Sequence, residues 1–89
     1  MRSKEVTIVN RLGMHARAAA KFVSLASSFG CNIEVEKGSR RVNGKSIMGV
    51  MMLAASKGSN VTLHTDGPDE EDALHALEDL IRERFGEDE

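Results

Sequence analysis

"NIEVEKGSRRVN" (residues 32–43) settles what kind of sheet this chain can build. Ile33 and Val35 alternate with Glu34 and Glu36, the period of two that sets one side of a strand against a core and the other against water. Gly38-Ser39 then supplies a turn, and "RRVN" returns as the second arm of a hairpin. Strands covered on one face only favour antiparallel pairing, because strands of parallel sheets are buried on both faces and read as unbroken apolar runs. On either side of the hairpin the same alternation recurs. "KEVTIVN" (4–10) has Val6 and Ile8 inward, and "NVTLHTD" (60–66) has Val61 and Leu63 inward.

Helical patterns fill the gaps. The spacing predicts a helix from Ala16 to Ser28, stopped by Gly30, with Ala19, Phe22, Val23, Ala26 and Phe29 as its apolar stripe. Arg17, Lys21, Ser24 and Ser28 run up its other side. Ser46 is placed to cap a second helix, "IMGVMMLAA" (47–55), ending near Gly58. Asp69 is expected to cap a third, opened by Glu70, Glu71 and Asp72, which suits the positive end of the helix dipole. That helix is expected to bury Ala73, Leu74, Leu77, Leu80, Ile81 and Phe85 and to stop at Gly86. The order β-α-β-β-α-β-α predicts an α+β fold. It is an open-faced β-sandwich, in which three helices cover one side of a four-stranded antiparallel sheet, and residues 1–89 form one domain.

Composition narrows the function. The longest apolar run, Ile47–Ala55, is nine residues including Gly49, short of the ~18 that span a bilayer. "MRSKEV" at the start is no secretory signal, so a cytoplasmic protein without membrane insertion is expected. A single Cys31 and three scattered histidines offer no disulfide and no metal-ligand spacing. No metal and no cofactor is expected. The chain has no Tyr or Trp, and Phe22, Phe29 and Phe85 fall on apolar helix stripes, which leaves nucleic acid without a stacking platform. Residues 1–49 hold nine Lys/Arg against three Asp/Glu, and residues 50–89 three against eleven. The basic half suits an acidic or phosphorylated partner.

The basic half also contains "GMHARAAAKF" (13–22), where His15 and Arg17 crowd the start of a helix. Helix starts ordinarily gather Ser, Thr, Asp or Glu, because their first N–H groups have no partner inside the helix. No carboxylate or hydroxyl falls between Leu12 and Lys21. The free N–H groups at Ala16 and Arg17 therefore form a ready anion site, and a guanidinium suits phosphate oxygens. In its neutral form the His15 imidazole is a nucleophile toward phosphorus. On residues alone, two readings stand: an ordinary turn histidine, or a phosphoryl acceptor. No acid or base lies near it in sequence, and His64 and His75 read as surface residues.

"NRLGMHARAAAKFV" (10–23) resembles the active-site segment of the HPr family, the phosphocarriers of the bacterial phosphoenolpyruvate-dependent phosphotransferase system. "NGKSIMGVMML" (43–53) resembles the same family's second-helix segment, and the order of elements and the length match along the whole chain. The resemblance implies strand order 1-4-2-3 and a carrier rather than an independent catalyst. It implies that His15 is phosphorylated on Nδ1 by enzyme I and passes the group to enzyme IIA domains, with Arg17 stabilising it. It also implies that Ser46 is a regulatory site for an ATP-dependent serine kinase/phosphorylase. Ala18 stands where the family usually has proline. "MLAASKG" and "FGEDE" are similar to the nitrogen-branch carrier, "NGKSIMGVM" to the sugar-branch one.

A docking surface is expected beside His15. Val50, Leu53 and Ala54 are expected to face the sheet, leaving Ile47, Met48, Met51 and Met52 outward as an apolar patch rimmed by Arg17, Ala20, Lys21 and Ser24. Methionines also serve simply as core filler; outward, they suit several unlike partners. The alternative to a relay is a regulatory binding module of the same fold that acts by docking. A monomer is expected in either case.

Overall fold

The computed structural model describes residues 1–89. Its elements are β1 (Arg2–Thr7), α1 (Ala16–Ser27), β2 (Asn32–Lys37), β3 (Arg40–Asn43), α2 (Ile47–Met52), β4 (Asn60–Asp66) and α3 (Glu70–Arg82), followed by a 3-10 turn at Arg84–Gly86. The sheet runs β1-β4-β2-β3, and every neighbouring pair is antiparallel. The fold class and strand order are those expected.

The hairpin explains why the sheet has one dry face. Val35 pairs with Leu63 on one side and Val42 on the other, while Glu34 and Glu36 point to the open face, where they meet Arg41 and His64. Val6, Ile33, Val35, Val61 and Leu63 are buried beneath the helices with Phe22, Val50, Leu77, Ile81 and Phe85, in one continuous core. The helices α1 and α3 each turn a stripe of small and branched residues toward it, as helical spacing dictates.

Four expectations are corrected. First, β1 spans 2–7 rather than 4–10. Ile8 stays fully buried beyond the strand, because its N–H and C=O bond to Ser59 and Gly58 of the facing loop at 2.8 Å each. Second, α2 stops at Met52, and Ala54 turns left-handed (φ 51) and exposed, so Ala55 takes the buried place. The chain leaves the helix there to offer the Ala55 C=O to the Met14 N–H at 2.8 Å.

Third, Asp69 sits at the start of α3 but does not cap it. Its carboxylate instead accepts the N–H groups of Gly30 at 2.9 Å and Cys31 at 3.0 Å, closing the loop after α1. The Gly30 bond above all holds that carboxyl below the ordinary carboxylate range. Fourth, Leu74 and Leu80 are only half-buried, and Glu78 is buried instead, its carboxylate reaching Arg82 at 2.8 Å. Phe85 is buried as expected but lies past α3, on a residue with φ 55 rather than on the helical stripe.

Candidate functional site at the start of the first helix

His15 is the residue that opens α1, in extended conformation (φ −75, ψ 178), and no side chain caps the helix. Its backbone C=O takes the Ala19 N–H at 2.8 Å, so the ring is attached to the first turn. Gly13 makes this placement attainable. Its φ is 67, and a Cβ there would lie 2.5 Å from the Ala55 C=O and 2.8 Å from Ser56 Cα. Only glycine lets the loop before His15 press so closely on the loop after α2.

Arg17 lies in the first turn, exposed, and enters none of the ion pairs of the chain. With His15 and Ala16 it lines a shallow depression shared by Arg11 and Leu12 on one side and by Glu87, Asp88 and Glu89 on the other. The first turn of α1 carries no acidic residue of its own and no side-chain cap, so the carboxylates of the depression come from the end of the chain rather than from the helix. Uncapped helix-end donors and a guanidinium with no ion pair are the groups that hold phosphate oxygens, here beside the His15 ring and next to the acidic residues 87–89.

A carboxylate does reach the site, from far along the chain. Glu87 meets His15 Nε2 through its Oε2, across a separation of 72 residues. Its Oε1 accepts from Asn10 Nδ2 at 3.0 Å. The Asn10 bond first, and the His15 ring next, hold the Glu87 carboxyl below the ordinary carboxylate range. Residues 85–89 are pinned at three further points: the buried Phe85 ring, Lys21 Nζ on the Phe85 C=O at 2.7 Å, and the Arg11 N–H on the Glu89 C=O at 2.9 Å. The basic and acidic halves of the sequence thus meet at His15. Asn10 and Glu87 are the site neighbours that sequence reasoning missed; the charge asymmetry and the acidic ending were the only signal of them.

Ser46 opens α2, and its Oγ accepts the Gly49 N–H at 3.1 Å, the cap expected of it. Val50 and Leu53 are buried, while Ile47 is 44%, Met48 70%, Met51 39% and Met52 60% exposed. These values decide between core filler and outward patch: the methionines of α2 face solvent. Ala20, Lys21 and Ser24 are exposed too, but they line a groove with Arg17, Leu25, Ser28 and Leu80 of α3, so the expected rim extends toward α3 as well. His64 is half-buried on the open face of the sheet between Ser3 Oγ and Glu36 Oε1, at 2.8 Å from each, and His75 is exposed; neither approaches a set of metal ligands. No helix is long and apolar enough to cross a membrane.

The fold and the site together define a small α+β protein with an uncapped, arginine-bearing histidine at a helix start. Residues 2–83 match the family model described as PTS HPr component phosphorylation site. The chain is 55% identical to the phosphocarrier protein HPr of Cupriavidus necator over 89 residues, and 54% to that of Pseudomonas aeruginosa over 90, with all of each chain covered. The crystal structure of HPr from Thermoanaerobacter tengcongensis superposes with a TM-score of 0.96 at 49% identity, again over all of both chains. The chain belongs to the HPr family, the phosphocarriers of the phosphotransferase system.

Proposed function

We propose that residues 1–89 act as one cytoplasmic, monomeric carrier domain in which His15 accepts a phosphoryl group from phospho-enzyme I and passes it to enzyme IIA domains. The observation that carries this reading is the start of α1, where no side chain caps the helix and His15, Ala16 and an Arg17 free of ion pairs line one depression. Transfer forms an N–P bond at His15 as the bond from phosphorus to the donor nitrogen breaks, and the helix end and Arg17 hold the phosphoryl oxygens. Imidazole leaves readily, so the group remains transferable. The exposed Ile47, Met48, Met51 and Met52 beside basic residues supply the docking surface. Ser46, at the edge of that patch, is the regulatory phosphorylation site of an ATP-dependent serine kinase/phosphorylase.

The test is phosphorylation by enzyme I and phosphoenolpyruvate, read by intact mass. One acid-labile, base-stable phosphoryl group is expected on the wild type and none on His15→Ala. Arg17→Ala is expected to fold and to transfer more slowly. Met48→Glu is expected to weaken enzyme I binding by about 1–3 kcal/mol with little change in melting temperature. Full labelling of His15→Ala would overturn the relay. Unfolding of Met48→Glu with unchanged binding per folded molecule would overturn the docking surface.

A further inference from the structure

The Glu87 contact uses Nε2 of His15 and leaves the other ring nitrogen without a hydrogen bond inside the chain. We propose that Glu87 is a positioning residue that selects the ring nitrogen of His15 open to phosphorus, an inference that rests on reading His15 as the acceptor. A carboxylate only accepts hydrogen bonds, so a neutral imidazole that bonds to it carries its proton on Nε2 and keeps its lone pair on Nδ1. Carboxylates orient metal-binding histidines in the same way, by holding the second nitrogen.

The carboxylate is itself fixed. Asn10 is fully buried and spends its Nδ2 hydrogens on the Gly13 C=O at 2.8 Å and Glu87 Oε1 at 3.0 Å, while its Oδ1 finds no partner. A buried, unsatisfied amide oxygen costs stability. Rotating the amide to satisfy it would withdraw the donor from both acceptors, so the amide stays as a clamp on Glu87. Phe85, fully buried two residues earlier, anchors the segment that carries the carboxylate.

The step balances without a free proton. The Nδ1 lone pair forms the N–P bond as the donor, a phosphorylated imidazole or another phosphoramidate, gives up its own P–N bond and keeps the electron pair. The His15 ring becomes cationic, retains its Nε2 proton, and places that charge against the Glu87 carboxylate. Return transfer runs the same path backward.

Glu87→Gln tests the assignment with nearly unchanged shape. Asn10 Nδ2 still holds the side-chain oxygen, so the NH2 of the new amide faces His15 and calls for a lone pair on Nε2. The ring proton is then expected to move to Nδ1, read by ring 15N shifts at alkaline pH, where the imidazole is neutral. Phosphorylation by potassium phosphoramidate, which needs no partner protein, is expected to give the Nδ1 product on the wild type. On the variant Nδ1 carries the proton and the Nε2 lone pair is held by the amide, so the Nδ1 product is expected to form about fivefold or more slowly, the ratio that one hydrogen bond supports. The same tautomer and the same rate of Nδ1 phosphorylation in both proteins would overturn the proposal. So would a wild-type ring protonated on Nδ1, a result independent of whether the variant folds. Failure of enzyme I to label His15 would strike the relay reading, whereas the rate of chemical phosphorylation at Nδ1 tests Glu87 without any partner protein.

Discussion

Helix α1 opens on a histidine with no side-chain cap, whereas α2, six residues against twelve, opens on a serine whose Oγ takes the Gly49 N–H. The short helix has little else to hold it. It buries Val50 alone within its span, and a helix of that length is unstable on propensity. Helix α1 buries Ala18, Ala19, Phe22, Val23 and Ala26, and that packed face carries the helix without help from its first turn. A fold can therefore leave donors open at the end of an element whose stability comes from packing. One start is closed by its own serine, and the other has no side-chain cap.

The largest effect is expected from closing the open start. Ala16→Glu adds a negative charge to the first turn of α1, where the dipole favours it by about 0.3–1 kcal/mol. The melting temperature is therefore expected to hold or rise. Phosphoryl acceptance from enzyme I is expected to fall by about tenfold or more, because like charges brought together cost several kcal/mol. Stopped-flow transfer kinetics beside thermal melts check both halves. Unchanged kinetics would mean that the open start has no role in receiving the group.

A smaller effect is expected from opening the closed start. Ser46→Ala removes the acceptor for the Gly49 N–H and is expected to cost about 0.5–2 kcal/mol of stability, the usual loss of a helix cap. Ser46→Asp keeps an acceptor and a charge suited to the helix end, so it is expected to melt at or above the wild type. It is also expected to slow phosphorylation by enzyme I, since a charge at the edge of the methionine patch must be desolvated on docking. Added salt is expected to recover part of that rate. Equal rates for wild type, Ser46→Ala and Ser46→Asp at two ionic strengths would leave Ser46 a cap and nothing more.

How much of the molecule is legible in its sequence depends on the range of the contacts involved. The alternation in "NIEVEKGSRRVN" and "NVTLHTD" is a local signal, and β2, β3 and β4 fall where it puts them. The Ser46 cap is a bond across three residues and is equally visible. Strand order does not follow from periodicity and came from the family resemblance. Asp69 departs from expectation because a carboxylate at a helix start has two sets of N–H groups to choose from, and the nearer in space belong to Gly30 and Cys31. The end of α2 departs because an apolar run continues through Ala55, while the helix yields to a long-range bond with Met14. His15 and Arg17 are readable as a pair, but Glu87 is not, since 72 residues separate it from the ring it holds.

The smallest effect is expected from Ala18, the position where the family usually has proline. Ala18 is the third residue of α1 and fully buried. Its N–H belongs to the first turn, where no intrahelical partner exists, so a proline ring there removes no helical bond. Ala18→Pro restricts the unfolded chain and is expected to stabilise by about 0.4–1 kcal/mol, a rise of about 2–8 °C in melting temperature for a domain of this size. Two terms oppose the gain. A proline disfavours helical backbone at the residue before it, here Arg17, and the added ring carbons need room in a packed site. The variant separates two properties that the open start combines, since it stiffens α1 without adding a cap or a charge. A higher melting temperature with transfer unchanged would show that neither the stiffness of the first turn nor the Ala18 N–H limits the reactivity of His15. A lower one would show that the helical placement of Arg17 is what the first turn most needs, and would make the alanine at position 18 the residue that permits it.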